Sequence, residues 1–198
     1  MTPPVPVPLH ERPTWHGLVV PIITLRHRNG TPIFGEVDSA QVEACLQNRL
    51  CQLCGRPLTG TAVLMAKPQD FMVAYVGEPA QHPWCAAYSR QACPMLSGRL
   101  EKYRRTQRSS RHCGDPLCVC LRWTQTSPDA IFRAGRDADP WFSVHFSMDD
   151  YQLRMSARHG PKGISLRQIA RPKVRLVTPG RPSTEDLSII VALGLSWN

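Results

Sequence analysis

The stretch that decides how this chain folds begins at residues 51–55, Cys51-Gln52-Leu53-Cys54-Gly55, and closes at residues 82–85, His82-Pro83-Trp84-Cys85. Two cysteines three positions apart, followed by glycine, form a tight knuckle: both thiolates turn towards one point, and the glycine lets the backbone reverse just past the second. Pro83 suits the first turn of a helix, where its missing N–H costs nothing. His82 and Cys85 therefore sit one turn apart at a helix start and can face the same ion. The sequence predicts that Cys51, Cys54, His82 and Cys85 hold one zinc ion. Four protein donors leave no position for water, which marks a structural rather than a catalytic site.

Outward from this centre, runs at Thr61–Ala66 and Phe71–Val76 flank Lys67-Pro68-Gln69-Asp70 and read as a β-hairpin. Knuckle, hairpin and helix together predict a small treble-clef-like module within an α+β fold. The order Cys-x2-Cys, twenty-seven residues, His-x2-Cys resembles the first zinc site of LIM domains, including the His-Pro-x-Cys detail, although the second Cys-x2-Cys of that family is missing. Residues 51–94 also resemble a group of small actinobacterial proteins that share Cys-x2-Cys-Gly-x-Pro-Leu and a later His-x2-Cys. That resemblance carries no established activity.

The organisation expected around the module has three parts. Residues 1–14 form an extended proline-rich arm, 15–98 an N-terminal hairpin and helix with the zinc module, and 99–198 a basic α+β segment. Gly17–Leu25 reads as a strand, Asn29-Gly30 as a hairpin turn, and Ser39 as the cap of a helix through Asn48. A strand is expected at Trp141–Phe146. Ser147 with Asp150 predicts a helix through about Arg158, and Ser183 with Asp186 a C-terminal helix. The break after Arg158 gives residues 148–170 a faint helix-turn-helix outline.

Eight cysteines without an export signal point to metal or free thiols rather than disulfides. The longest apolar run, Ser188–Leu195, falls far short of the ~20 residues that span a bilayer. A cytoplasmic location and no membrane partner are the expectation.

A second cluster, His112-Cys113-Gly114-Asp115-Pro116-Leu117-Cys118-Val119-Cys120, can form another metal site with Cys93: Cys93, Cys113, Cys118 and Cys120, with His112 or His145 replacing one of them. A second zinc, an iron–sulfur cluster and a turn with idle thiols all remain open. Cys45 reads as a small core residue. The Cys-x4-Cys-Val of residues 113–119 resembles part of the zinc-bound His-Me finger (HNH-like) endonucleases. There Cys120 stands where a metal-binding asparagine is expected, and the usual Pro-x-His does not follow. The resemblance implies a metal-dependent nuclease, degenerate or active. In an enzyme, His112 or His145 is the candidate catalytic group; otherwise no catalytic residue is assigned.

Charge is lopsided. Residues 1–98 carry seven Lys/Arg and six Asp/Glu, residues 99–198 seventeen and nine, and twenty of the 24 cations are arginine. Arg99, Lys102, Arg104, Arg105, Arg108 and Arg111 crowd into thirteen positions. From Tyr151 to Thr184 there is no acid, against cations that include Arg167, Arg171, Lys173 and Arg175. Such a field attracts phosphate backbones, so DNA or RNA is the expected partner. A surface for an acidic protein is the alternative. No nucleophile elbow, phosphate-binding loop or dinucleotide motif occurs. Adjacent Asp149 and Asp150 would point about 100° apart on a helix and suit capping better than acid–base catalysis. The reading is a zinc-scaffolded, non-catalytic nucleic-acid-binding protein.

Overall fold

The computed structural model describes residues 2–105, 112–122, 133–157 and 160–195. Its architecture is α+β, with short helices and small antiparallel sheets. Two hairpins come first: β1 (Thr14–Trp15) with β2 (Leu18–Val19), and β3 (Thr24–Arg26) with β4 (Pro32–Val37). Asn29-Gly30 turns the second as expected, and Gly30, at φ +85°, donates its N–H to His27 O. The single strand expected over Gly17–Leu25 is instead divided between β2 and β3. Pro21 lies at the break and has no N–H to give a ladder.

Helix α1 (Ser39–Gln47) buries Cys45 and Leu46. Its cap is Asp38 rather than Ser39: the Asp38 carboxylate accepts from Ala40 N and Gln41 N. Strand β5 (Thr61–Ala66) follows, but the hairpin expected after it does not form. Residues Pro68–Val73 are helix α2, with Pro68 at the first position and the Asp70 carboxylate accepting from Lys67 N. The short β6 (Tyr75–Val76) pairs elsewhere. Local capping chemistry at Lys67–Asp70 overrode the apolar run.

Strand β7 (Trp141–Ser147) takes the place beside β5, and β10 (Lys173–Thr178) flanks it, giving the order β10-β7-β5. Helix α3 (Pro83–Ala92) packs on one face of this sheet, over a cluster of Val63, Met65, Ala86, Leu96 and Trp141. The other face carries Ala62, Leu64, Val144 and Phe146 into the main core, with Leu46, Tyr88, Tyr151 and Ile164. This two-sided burial explains why β5 is apolar at successive rather than alternate positions.

Ser147 opens only a one-turn 3-10 helix, Met148–Asp150, and accepts from Asp149 N. The chain then forms β8 (Leu153–Ser156) and β9 (Gly160–Ser165), in a sheet ordered β6-β9-β8. Among the described residues neither the expected helix beyond Asp150 nor a helix-turn-helix forms, because Leu153 and Ile164 close a strand pair instead; Arg158, the expected end of that helix, lies outside them. Gly163 is indispensable here. At φ +154° a Cβ would lie 2.1 Å from Val76 O, inside the strand contact. Helix α4 (Thr184–Ala192) starts with the expected Ser183–Asp186 capping box.

Candidate metal centres and basic surface

The knuckle is a miniature hairpin. Leu50 and Pro57 bridge, Cys51 N donates to Arg56 O at 2.9 Å, and Gly55 N to Cys51 O at 2.8 Å. Gly55 sits at φ +77°, so the backbone favours glycine there, and a Cβ would also push aside the Cδ1 end of the Ile22 side chain. Opposite, Val63 and Gln81 exchange two backbone hydrogen bonds of 2.8 Å, which pins His82 to the edge of β5 just as α3 begins.

The donor atoms of Cys51, Cys54, His82 and Cys85 all lie within 4.8 Å of one another, and all four residues are buried. His82 Nε2 donates to Pro57 O at 3.0 Å, which turns Nδ1 inward, 3.4 Å from Cys54 Sγ and 4.0 Å from Cys85 Sγ. Tetrahedral zinc with ordinary Zn–S and Zn–N bonds sets N to S separations of about 3.6 Å. A ring nitrogen bonded to a carbonyl is also the usual orienting device of a metal-bound histidine. Trp84 stacks on the imidazole at 4.5 Å and 9°. Hydrogen bonds from Cys54 and Cys85 push the Cys51 thiol well below its ordinary pKa, and the Cys51 thiolate in turn raises that of His82. The chemistry of the donor set and the orientation of the ring both fit zinc.

A second group converges from His27, Cys113, Cys118 and Cys120, again with all donor atoms within 4.8 Å. Its fourth member corrects the expectation. Cys93 follows α3 as its C-terminal cap and packs against the Val63–Trp141 cluster, and burial raises its thiol pKa. His112 is not a member either: its Nδ1 lies 3.1 Å from Cys120 O. His145 sits mid-sheet, between Val63 of β5 and Lys173 of β10. The missed member of this group, His27, stands at the turn of the β3–β4 hairpin. The only signal for it in the sequence was its place beside Asn29-Gly30.

The cations predicted to meet nucleic acid divide by role. Arg99 is structural: it donates to the carbonyls of Gln91 and Ala92 at the end of α3 and to Ser97 Oγ. Lys102 pairs with Asp137 at 3.0 Å. Arg104 donates to Phe34 O, and Arg105 lies against Gly135. Arg167 and Arg171 are exposed, and Arg108 and Arg111 lie outside the described residues. Lys173 and Arg175, also exposed, project from β10 on the His145 face of the sheet. Burial, then Arg175, Arg90 and Lys173, lower the pKa of His145. None of these three cations is ion-paired with a carboxylate among the described residues. Arg90, on α3, also lines an open cleft of about 900 Å³ that runs to Glu101, Gly180 and Arg181.

No helix among the described residues is long and apolar enough to cross a membrane. No protein-family model, curated protein or solved structure matches the chain. The chain has two Cys/His groups compatible with zinc, on an α+β scaffold that brings basic side chains together across one sheet face.

Proposed function

We propose that this is a zinc-scaffolded, non-catalytic protein that binds DNA or RNA through the sheet face bearing Arg90, His145, Lys173 and Arg175. The observation that carries the reading is that Lys173 and Arg175 share the His145 face of the sheet, with Arg90 near enough to act on the same imidazole, and that none of the three is ion-paired with a carboxylate among the described residues. Like charges held together oppose one another in the free protein. A phosphate backbone would relieve that repulsion and release its counterions. Arg167 and Arg171 extend the basic surface just before β10.

Zinc at Cys51, Cys54, His82 and Cys85 plays the scaffold. Knuckle and helix start each contribute two ligands, which is treble-clef logic, though here the intervening chain is a strand, helix α2 and a short second strand rather than a hairpin. With four protein donors, the ion holds the loop at Cys51–Cys54 against the start of α3 and leaves no vertex for a reacting water. Cys51, Cys54 and Cys85 belong to the main apolar cluster, so metal binding and core formation are coupled.

The test is anisotropy of fluorescent DNA and RNA oligonucleotides titrated with the full chain across a range of salt. The reading expects binding at low salt with a steep inverse salt dependence. No binding of either at low salt overturns it. Plasmid cleavage with added magnesium or manganese would instead favour a metal-dependent nuclease. Saturable binding to an acidic protein, with none to nucleic acid, would favour an adaptor.

A further inference from the structure

The His27, Cys113, Cys118 and Cys120 group joins parts of the chain that are far apart in sequence. Cys113 Sγ and Cys120 Sγ are 3.6 Å apart, and Cys118 Sγ lies 3.8 Å from His27 Nδ1. The S–S and S–N edges of a tetrahedral zinc site are about 3.8 and 3.6 Å. Three thiols and one imidazole select a soft divalent ion over magnesium or calcium.

Two further observations point to a ligand. Cys118 and Cys120 are only 3% and 0% exposed, yet neither belongs to an apolar cluster among the described residues. A buried free cysteine ordinarily packs as a small hydrophobe, whereas among the described residues these two sulfurs gather with Cys113 and His27 instead. In addition, Arg28 N donates to Cys118 Sγ at 3.3 Å, the kind of backbone contact that supports a metal-bound thiolate. The loop is also preformed: Asp115 accepts from Leu117 N and Cys118 N, and its carboxylate pairs with Arg28 at 3.5 Å.

We propose that these four residues bind a second zinc ion, and that this ion exchanges with free zinc and clips the β3–β4 hairpin to the cysteine loop. The first site is closed, with every ligand buried in or beside the core. At the second, Cys113 is exposed and His27 half-buried, so a competing ligand can approach one vertex of the tetrahedron. Loss of the ion would remove a bond that ties the hairpin turn to the loop more firmly than Arg28 does, whose ion pair with Asp115 is solvent-accessible and so contributes little. The contrast in exchange rests on zinc at the first site; the second ion itself does not.

The experiment follows zinc release from the full-length, zinc-loaded protein into excess chromogenic chelator under native conditions. Two zinc equivalents are expected, one released rapidly and one only on unfolding. H27A and C113S should each lose the rapid equivalent and keep the slow one, with the near-ultraviolet tryptophan dichroism of the wild type. C113S alters an exposed side chain, so it decides the matter if H27A fails to fold. Removing the rapid zinc should also speed amide exchange in the β3–β4 hairpin. An unchanged rapid equivalent in C113S, a wild type with only the slow equivalent, or hairpin exchange indifferent to the rapid zinc would each overturn the proposal. A rapid equivalent without a slow one would instead count against the first site.

Discussion

His82 donates through Nε2 to the carbonyl of Pro57, and this one hydrogen bond of 3.0 Å fixes which nitrogen faces the thiols. Pro57 closes the knuckle by bridging Leu50, so the element that presents Cys51 and Cys54 also aims the imidazole opposite them. Ligand position and ligand orientation are thus set by the same short turn.

Removing a ligand from this site should therefore cost more than a contact. C54S, H82A and C85S are each expected to lose one zinc equivalent and the cooperative unfolding transition. Structural zinc contributes on the order of 10 kcal/mol, as much as the whole stability of a typical domain. Elemental analysis with thermal melts followed by circular dichroism checks this. Retained zinc with an unchanged melt would rule out a structural role.

The Trp84 ring stacked on His82 is half-exposed, so its burial is modest and its value lies in holding the imidazole. W84A should fold and still bind zinc, with affinity reduced by about tenfold, the low end of what orienting partners of metal ligands contribute. Competition against a chelator of known affinity measures it.

On the basic face, R90A, K173A and R175A should weaken nucleic-acid binding and each reduce the salt slope by about one. K102A, which removes a side chain already paired with Asp137, should change it least. Anisotropy titrations at several salt concentrations give the slopes. Equal effects for all four would mean that no particular face binds.

His145 makes stability depend on pH in a defined direction. Burial and the cations Arg175, Arg90 and Lys173 hold its folded pKa below the unfolded value near 6.5. The unfolded chain then binds the proton first, so this histidine costs nothing above about pH 6.5. Stability falls as pH drops from there towards the folded pKa, and levels off below it. H145Q should flatten that part of the profile, read from denaturant midpoints between about pH 7 and 5. An unchanged slope would show that His145 is not the group responsible.

Gly163 offers a test of the fold itself. In G163A the new Cβ would collide with Val76 O, which is backbone and cannot move aside without parting β6 from β9. A loss of several kcal/mol is expected, above the ordinary range for a single substitution. Denaturant unfolding measures it. G30A, where a Cβ would meet nothing within 4 Å, should cost only its backbone strain at φ +85°.

What the sequence determined by itself is local. Cys51 with Cys54 and His82 with Cys85 each lie within one turn of chain, so spacing alone reveals that each pair can share an ion. Asn29-Gly30, Pro83 and the Ser183–Asp186 box act within four residues, and all three are found where the sequence places them. At Pro68–Val73 the apolar run pointed to a strand, but Pro68 and the Asp70 carboxylate at Lys67 N start a helix instead, and β7 takes the place beside β5 that a hairpin partner would have had. Only the tertiary structure could decide who completes the second cluster. His27 is ninety-one residues from Cys118, and nothing in the spacing of either marks the other as its partner. The basic face has the same origin: Arg90 on α3 comes near His145, whose sheet face also carries Lys173 and Arg175, because α3 packs on β5 while β10 pairs with the neighbouring β7. That neighbourhood is fixed by burial of the sheet, which no local pattern encodes.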